Sequence, residues 1–473
     1  LCRDKDIVIF DNQLKELVLE YSLNRREVLD EISFLNSLKD KDGNKFSQSM
    51  KEYSKLEVQL HRFSENNYPS FRWNEHYQAA LKWLALQFSN ATLQPLAYTC
   101  DDDIRLSLPK VDTHSGFTYI ETGKKRKGDN LEGCYQLYTE VLDGAAKDLS
   151  FSRPILPGVR TQGSAYTEEG VRLKFAKHKT RLVSMVDLLQ IINEMTYAIP
   201  FQKWMASWTY YAGGKDPNEI DKIIQNDRSR FNYYISLDYS SFDQSLSNWL
   251  ISDAFKALFQ SFRTIDDRVT SIIVNDFIHK AFVYGKGIIY SDKGVPSGSM
   301  FTQIIDSICN IIMIKTYLLS NDIDGHMIVM GDDNLLYTDK AIDVHDISSY
   351  LQRNFGTIVN PSKTESGYKS DSPKFLSREW RKDGQWRHPY VLLSRMLFPE
   401  RWRDYKSGNA DPVEVFYAYI LTYPIGMREL VDVDRFLFDH QLIPNRNADI
   451  RHNRHLTGVL KFVRDYLLDK DIE

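Results

Sequence analysis

The tripeptide Gly331-Asp332-Asp333 sets two carboxylates side by side, and Asp238 and Asp243 form a second acidic pair upstream. Neighbouring carboxylates repel one another, which makes the end of a turn a poor place for them on stability grounds alone. A divalent cation removes that repulsion, because hard cations take carboxylate oxygens as ligands. A cluster of this kind can hold two ions about 4 Å apart, one to activate a nucleophile and one to stabilise a leaving oxygen. Taken singly, each motif has a plainer reading. Gly and Asp are ordinary turn residues, and Asp243 alone is explained as a helix cap. What favours chemistry is the occurrence of both in one chain, each at the end of a strand-like run.

The elements that would position these groups are legible around them. The run His326-Met-Ile-Val-Met330 and the run Asn334-Leu-Leu-Tyr-Thr338 flank Gly331-Asp332-Asp333, the pattern of a tight hairpin. Tyr233 to Leu237 is rich in aromatic and β-branched residues and predicts a strand with Asp238 at its end. A helix is expected from about Gln244 to Phe262. Between the acidic motifs, Gly294, Pro296 and Gly298 predict a loop, followed by a helix from about Ser299 to Leu319. On that helix Thr302, Asp306 and Asn310 recur every four residues and share one face. A solvated face generally carries Lys and Glu. These small polar groups suit a wet internal cavity better.

Asp-x4-Asp, Ser-Gly-x3-Thr-x7-Asn and Gly-Asp-Asp, in that order, resemble the palm of viral RNA-dependent RNA polymerases. The wording Gly294-Val-Pro-Ser-Gly-Ser-x-Phe-Thr-Gln-x2-Asp-Ser-x2-Asn310 is similar to polymerases of small double-stranded RNA viruses, partitiviruses above all and picobirnaviruses next. The motifs run from about Lys174 to Trp380. The resemblance implies that Asp238 and Asp332 are the principal metal-binding carboxylates and Asp333 a third, peripheral one, with Mg2+ or Mn2+ as cofactor. It implies that Asp243 senses the ribose 2′-hydroxyl, with Asn310 as its partner and Ser297, Gly298 and Thr302 helping to form the sugar pocket. A 2′-hydroxyl both donates and accepts, so a carboxylate and an amide suit it. Reverse transcriptases typically carry a bulky aromatic where Asp243 stands.

The basic run Arg172 to Arg181 reads alone as a solvated strand or loop. Within the resemblance, Lys179 and Arg181 match the motif that grips the triphosphate, with Lys174 and Lys177 as further members; cations there would stabilise developing pyrophosphate charge. Pro154 to Arg160 resembles a proline-stiffened template-guiding loop. Asp343 to Phe355 predicts an amphipathic helix, followed by an extended segment in which Lys363 resembles the lysine proposed as general acid to pyrophosphate; a solvent-facing Lys is the competing reading. Lys382-Asp-Gly384 predicts a hairpin like the one that supports the primer strand.

At 473 residues and 42% hydrophobic content the chain can bury a large core. Its net charge of −4 excludes a uniformly basic nucleic-acid binder, so any RNA path needs local clusters. The candidates are Lys124 to Lys127, Arg172 to Arg181, and Arg378 to Arg403, where Trp380, Trp386 and Trp402 interleave with Arg. Cys2, Cys100, Cys134 and Cys309 show neither metal spacing nor a disulfide framework. No apolar run reaches membrane length and no signal-peptide pattern opens the chain. The first residue is Leu rather than Met, so further upstream sequence is expected.

The fold implied is α+β, a right-hand polymerase with an antiparallel palm sheet flanked by helices and a mostly helical thumb. Residues 1–70 are expected as an extension bridging fingers and thumb. Fingers are expected at 71–230 and 261–288, palm at 231–260 and 289–390, and thumb at 391–473. The activity implied is RNA-directed RNA synthesis from nucleoside triphosphates on a viral double-stranded genome. The alternatives are a reverse transcriptase, an inactive polymerase-like RNA-binding protein, and a capsid structural protein. Expected partners are template RNA, the product duplex and a viral capsid protein, with no membrane. The expected location is the virion interior and the host cytoplasm.

Overall fold

The structure is a computed structural model; it describes residues 9–48, 55–144, 153–285, 287–400, 403, 405–406, 410–440 and 442. At its centre four antiparallel strands lie in the order Glu365–Tyr368, Tyr233–Ser236, Asp333–Thr338, Gly325–Met330. Period-2 alternation gives this sheet two apolar faces. Ile235, Met327, Val329 and Leu336 point into the largest core, with the helices Thr302–Ser320, Asn248–Phe259 and Glu75–Phe88. Tyr234, Ile328, Leu335 and Tyr337 point the other way, onto the helix Pro217–Arg230 and onto Phe375 and Trp380. The sheet is thus sandwiched between helices, which agrees with the α+β expectation.

The predicted hairpin forms with Met330 opposite Asp333, leaving Gly331 and Asp332 as a two-residue turn. Gly331 has φ +68°, so glycine stands at the first central position, the type II′ arrangement that matches strand twist. The helix expected over Gln244–Phe262 is instead two pieces, Phe242–Ser245 and Asn248–Phe259. The break is tertiary in origin. Val295 N–H donates to the Asp243 carbonyl at 2.7 Å and Gly294 N–H to the Leu246 carbonyl at 2.8 Å, contacts a continuous helix would forbid. The following helix begins at Thr302 rather than Ser299, because Ser299 to Phe301 turn to pack the loop.

Other expectations are adjusted in the same way. Leu156–Tyr166 is a strand, not a stiffened loop, and pairs with Arg172–Met185 in a long two-stranded ribbon. The helix Val344–Phe355 is present, capped by Asp343. Lys363 lies in a turn rather than an extended segment, its N–H donating to the Asn360 carbonyl at 3.1 Å. Arg378–Arg381 and Gly384–Trp386 form the hairpin predicted at Lys382-Asp383.

Residues 9–48 carry the helices Asn12–Tyr21 and Arg25–Ser37. Their apolar faces share one core with Leu392, Met396, Phe416, Met427 and Phe436. Glu31 of the second helix accepts from Tyr166 Oη at 2.7 Å and from Arg172 of the ribbon at 2.8 Å. The segment therefore touches both the ribbon and the helices of 389–440. No helix among the described residues is long and apolar enough to cross a membrane.

Candidate active site

The ladder of the central pair ends at Ile235 against Leu336, which leaves Asp238 and Asp333 at the same end of the sheet. Asn334 ties the two strand ends together: its Oδ1 accepts from Leu237 N–H at 3.1 Å and its Nδ2 donates to the Leu237 carbonyl at 3.3 Å. Asp238 is fixed through its backbone. Its N–H donates to Thr364 Oγ1 at 3.1 Å and its carbonyl accepts from Asn360 N–H at 2.7 Å. Ser241, in the left-handed region at φ +55°, then turns the chain so that Asp243 enters a short helix beside the same strand ends.

The electrostatics are those of crowded carboxylates. Burial and the field of Asp332 push Asp243 up to about 6. Asp333 is exposed, and desolvation by its neighbours followed by the Asp332 field pushes it up to about 6 as well. Lys179 and Arg181 oppose both shifts, so the positive field of these two cations reaches the acidic cluster. Lys174 lies five residues back along the strand, roughly 17 Å at strand rise, with its ammonium 5.6 Å from the Phe175 ring. The structure therefore brings Lys179 and Arg181 to the site and leaves Lys174 outside it. Lys363 Nζ stands 3.8 Å from Asp238 Oδ2, both side chains well exposed.

The helix Thr302–Ser320 supports the hairpin from beneath. Ser307 Oγ accepts from Gly331 N–H at 2.8 Å, and Asn310 Nδ2 donates to the Gly331 and Asp332 carbonyls at 3.0 and 3.3 Å. Asn310 Oδ1 accepts from Tyr239 Oη at 3.0 Å. The amide expected to partner Asp243 is thus engaged with the turn and with Tyr239. One helical turn earlier, Asp306 is 3% exposed, has one carboxylate oxygen with no hydrogen-bond partner, and is pushed well above the usual range by burial and by Asp243 and Asp332. Asp306 is the group of that face that feels the charge of both Asp243 and Asp332. Sequence reasoning set it on the right face but passed over it for the amide, and it gave no role to Ser307 or Asn334.

Ser297, Gly298 and Thr302 hold the loop itself. Ser297 Oγ accepts from Ser184 N–H at 3.0 Å and donates to the Leu182 carbonyl at 3.3 Å. A Cβ on Gly298 would fall 1.8 Å from the Ser184 carbonyl oxygen, so only glycine fits. Thr302 Oγ1 donates to the Pro296 carbonyl at 2.7 Å. Buried Glu194 accepts from Ser299 Oγ and Met300 N–H, both at 2.8 Å, and burial pushes it up to about 7.

The donor set suits a hard divalent cation: several carboxylates, crowded enough to resist ionisation, and an orphaned buried oxygen. Among the described residues no three His, Cys, Asp or Glu side chains are gathered closely enough to hold an ion as they stand. The proposed RNA-stacking cluster at 378–403 is divided: Trp386 is half-buried with the Arg381 guanidinium 3.8 Å from its ring centroid, whereas Trp380 and Arg378 pack inward. Trp380 is fully buried, its Nε1 donating to the Phe375 carbonyl at 3.0 Å, while Arg378 lies 4.6 Å from the Tyr423 ring. Trp402 lies outside the described residues. Lys124 to Arg126 are exposed in an extended segment, Arg126 bridged to His114, and Lys127 is half-buried.

A family model described as viral RNA-dependent RNA polymerase matches residues 12–396. The genome polyprotein of Human parechovirus 2 (strain Williamson) is 29% identical over 203 residues, covering 41% of this chain and 9% of that protein. The RNA-directed RNA polymerase of Cryptosporidium parvum virus 1 (strain KSU-1) is 32% identical over 177 residues, 35% of this chain and 32% of that one. The chain thus spans under two thirds of the length of these relatives. The crystal structure of the RNA-dependent RNA polymerase of a human picobirnavirus superposes with a TM-score of 0.64 at 14% identity, covering 95% of this chain and 84% of that one, which establishes a shared right-hand fold. By the extent of the family match, this chain belongs to the viral RNA-dependent RNA polymerases.

Proposed function

We propose that the chain is an RNA-directed RNA polymerase that replicates and transcribes a double-stranded RNA genome, of the partitivirus- or picobirnavirus-like kind. The observation that carries this reading is the meeting of Asp238, Asp332, Asp333 and Asp243 at one end of the sheet, within the field of Lys179 and Arg181. In the reaction a primer or first-nucleotide 3′-hydroxyl attacks the α-phosphate of a nucleoside triphosphate, a new phosphodiester bond forms, and pyrophosphate leaves. Mg2+ or Mn2+ held by Asp238 and Asp332, with Asp333 beside them, would lower the pKa of the attacking hydroxyl and neutralise the leaving oxygens. Lys179 and Arg181 bind the triphosphate and stabilise its growing charge. Lys363 donates the proton that pyrophosphate takes up. Asp243 accepts from the ribose 2′-hydroxyl, and Asp306 beneath it keeps that pocket polar.

The same reading assigns fingers to 71–230 and 261–288, palm to 231–260 and 289–390, and thumb to 391–473. Residues 1–70 join fingers to thumb, in keeping with the packing of 9–48 on both the ribbon and 389–440. Template RNA and product duplex are its partners. A capsid protein as partner and a site of action in the virion interior and host cytoplasm rest on the sequence resemblance alone. The deciding experiment is incorporation of labelled ribonucleotides on a defined RNA template, with and without primer and with either metal. Template-dependent products are expected. RNA binding without incorporation would point to an inactive homologue, and preferential use of deoxynucleotides to a reverse transcriptase.

A further inference from the structure

The helix Leu56–Phe63 belongs to none of the motifs above, yet it is built into the site. The strand Arg172–Met185 pairs with its neighbour on one edge; on the other, the backbone groups of Thr180, Leu182 and Ser184 face outward. Side chains close that edge. Gln59 Nε2 donates to the Thr180 carbonyl at 2.9 Å, and Gln59 Oε1 accepts from Leu182 N–H at 2.6 Å. Ser297 makes the next rung with the Leu182 carbonyl and Ser184 N–H. Gln59 therefore acts as one residue of a missing strand, and the two peptide units it grips are those on either side of Arg181, with Lys179 two residues back on the same strand. Three residues on, on the same helix face, Arg62 donates to Ser241 Oγ in the left-handed turn between Asp238 and Asp243. Phe63 seals the other flank: a Cβ on Gly294 would lie 2.7 Å from its ring.

We propose that Gln59 and Arg62 are positioning residues for triphosphate capture, one helix holding the Lys179–Arg181 strand and the Asp238–Asp243 turn at a fixed separation. Neither touches the reacting atoms. Gln59 fixes where the two cations stand, and Arg62 fixes the acidic turn relative to them. The inference rests on the polymerase reading.

The test compares steady-state incorporation by the parent, Gln59→Leu, Gln59→Glu, Arg62→Met and Arg62→Lys, with amide hydrogen exchange on the same proteins. Gln59→Leu keeps the volume and removes both bonds, so the KM for nucleotides should rise about tenfold, with a smaller fall in kcat and the ribose preference unchanged. Gln59→Glu, which keeps the acceptor for Leu182 N–H, should recover part of the loss, and the Leu182 amide should lose protection only in the Leu variant. Arg62 is exposed, so Arg62→Met should fold normally; it should raise KM, with Arg62→Lys closer to the parent. A parent without turnover removes the polymerase reading and this inference with it. A working parent whose Gln59→Leu and Arg62→Met variants keep their KM, or lose kcat alone, overturns this inference and leaves the polymerase reading intact.

Discussion

Asp238 and Asp332 have their backbones clamped while their side chains stay open. Replacing either with Asn keeps the size and removes a metal-binding charge, so incorporation should fall about a thousandfold or more, while RNA binding measured by filter retention should survive. Normal turnover by either variant would remove the metal assignment. Asp243→Ala should lower the ribo-over-deoxy ratio of specificity constants about tenfold or more, because the pocket then no longer rewards a 2′-hydroxyl. If Asp306 shares that pocket, Asp306→Ala shifts the ratio in the same direction. An unchanged ratio in both would leave Asp243 a helix-start residue. Lys363 is two-thirds exposed and its ion pair with Asp238 is worth little as a stabilising contact. A loss of about 10²–10⁴-fold in single-turnover rate for Lys363→Leu, with partial rescue by Lys363→His, would therefore report proton transfer and not folding. The carboxylates were legible in the sequence because type and spacing alone name them. What Asn310 bonds was not, since its hydrogen bonds to Tyr239 and to the Gly331 turn depend on the fold and not on its place on the helix face.

At the scale of elements, the sequence marks what local forces make. The Gly331 hairpin follows from alternation and a turn glycine, and the helix Val344–Phe355 from its period and Asp343 cap. The break at Leu246-Ser247 follows from hydrogen bonds to Gly294 and Val295, some fifty residues away, and nothing in the local pattern announces it. The Gly294–Thr302 loop is likewise held by distant groups, among them Glu194. Its carboxyl, ordinarily near 4.5, is raised to about 7 by burial. The folded state then binds more protons than the unfolded chain between those values. The stability contributed is full below about 4.5 and is lost as pH rises through about 7. The span is worth roughly 3 kcal/mol at about 1.4 kcal/mol per pH unit. Glu194→Gln should flatten the decline in Tm across that range; a parent and variant with parallel profiles would exclude the effect.

For the whole molecule, the two ends of the described chain, 9–48 and 389–440, form one core. Asp11 N–H donates to the Leu397 carbonyl at 2.8 Å, Asp432 N–H to the Tyr21 carbonyl at 2.7 Å, and Leu23 N–H to the Leu430 carbonyl at 3.2 Å. Deleting residues 1–48 should bare Leu392, Leu393, Met396 and Phe416, lowering Tm by at least about 5 °C and raising binding of an apolar dye. Unchanged melting would mean that 389–440 holds together without those helices. The same closure orders events during synthesis. At roughly 5–20 residues per second, the helices Asn12–Tyr21 and Arg25–Ser37 leave the ribosome tens of seconds before Phe416 and Phe436 exist. Through that interval Leu14, Val18, Ile32 and Leu35 lack the partners that 389–440 supplies and are open to chaperones or to wrong contacts. A nascent chain stalled before residue 389 is then a chaperone client by construction of the fold, and release of its first two helices should coincide with emergence of the last ones.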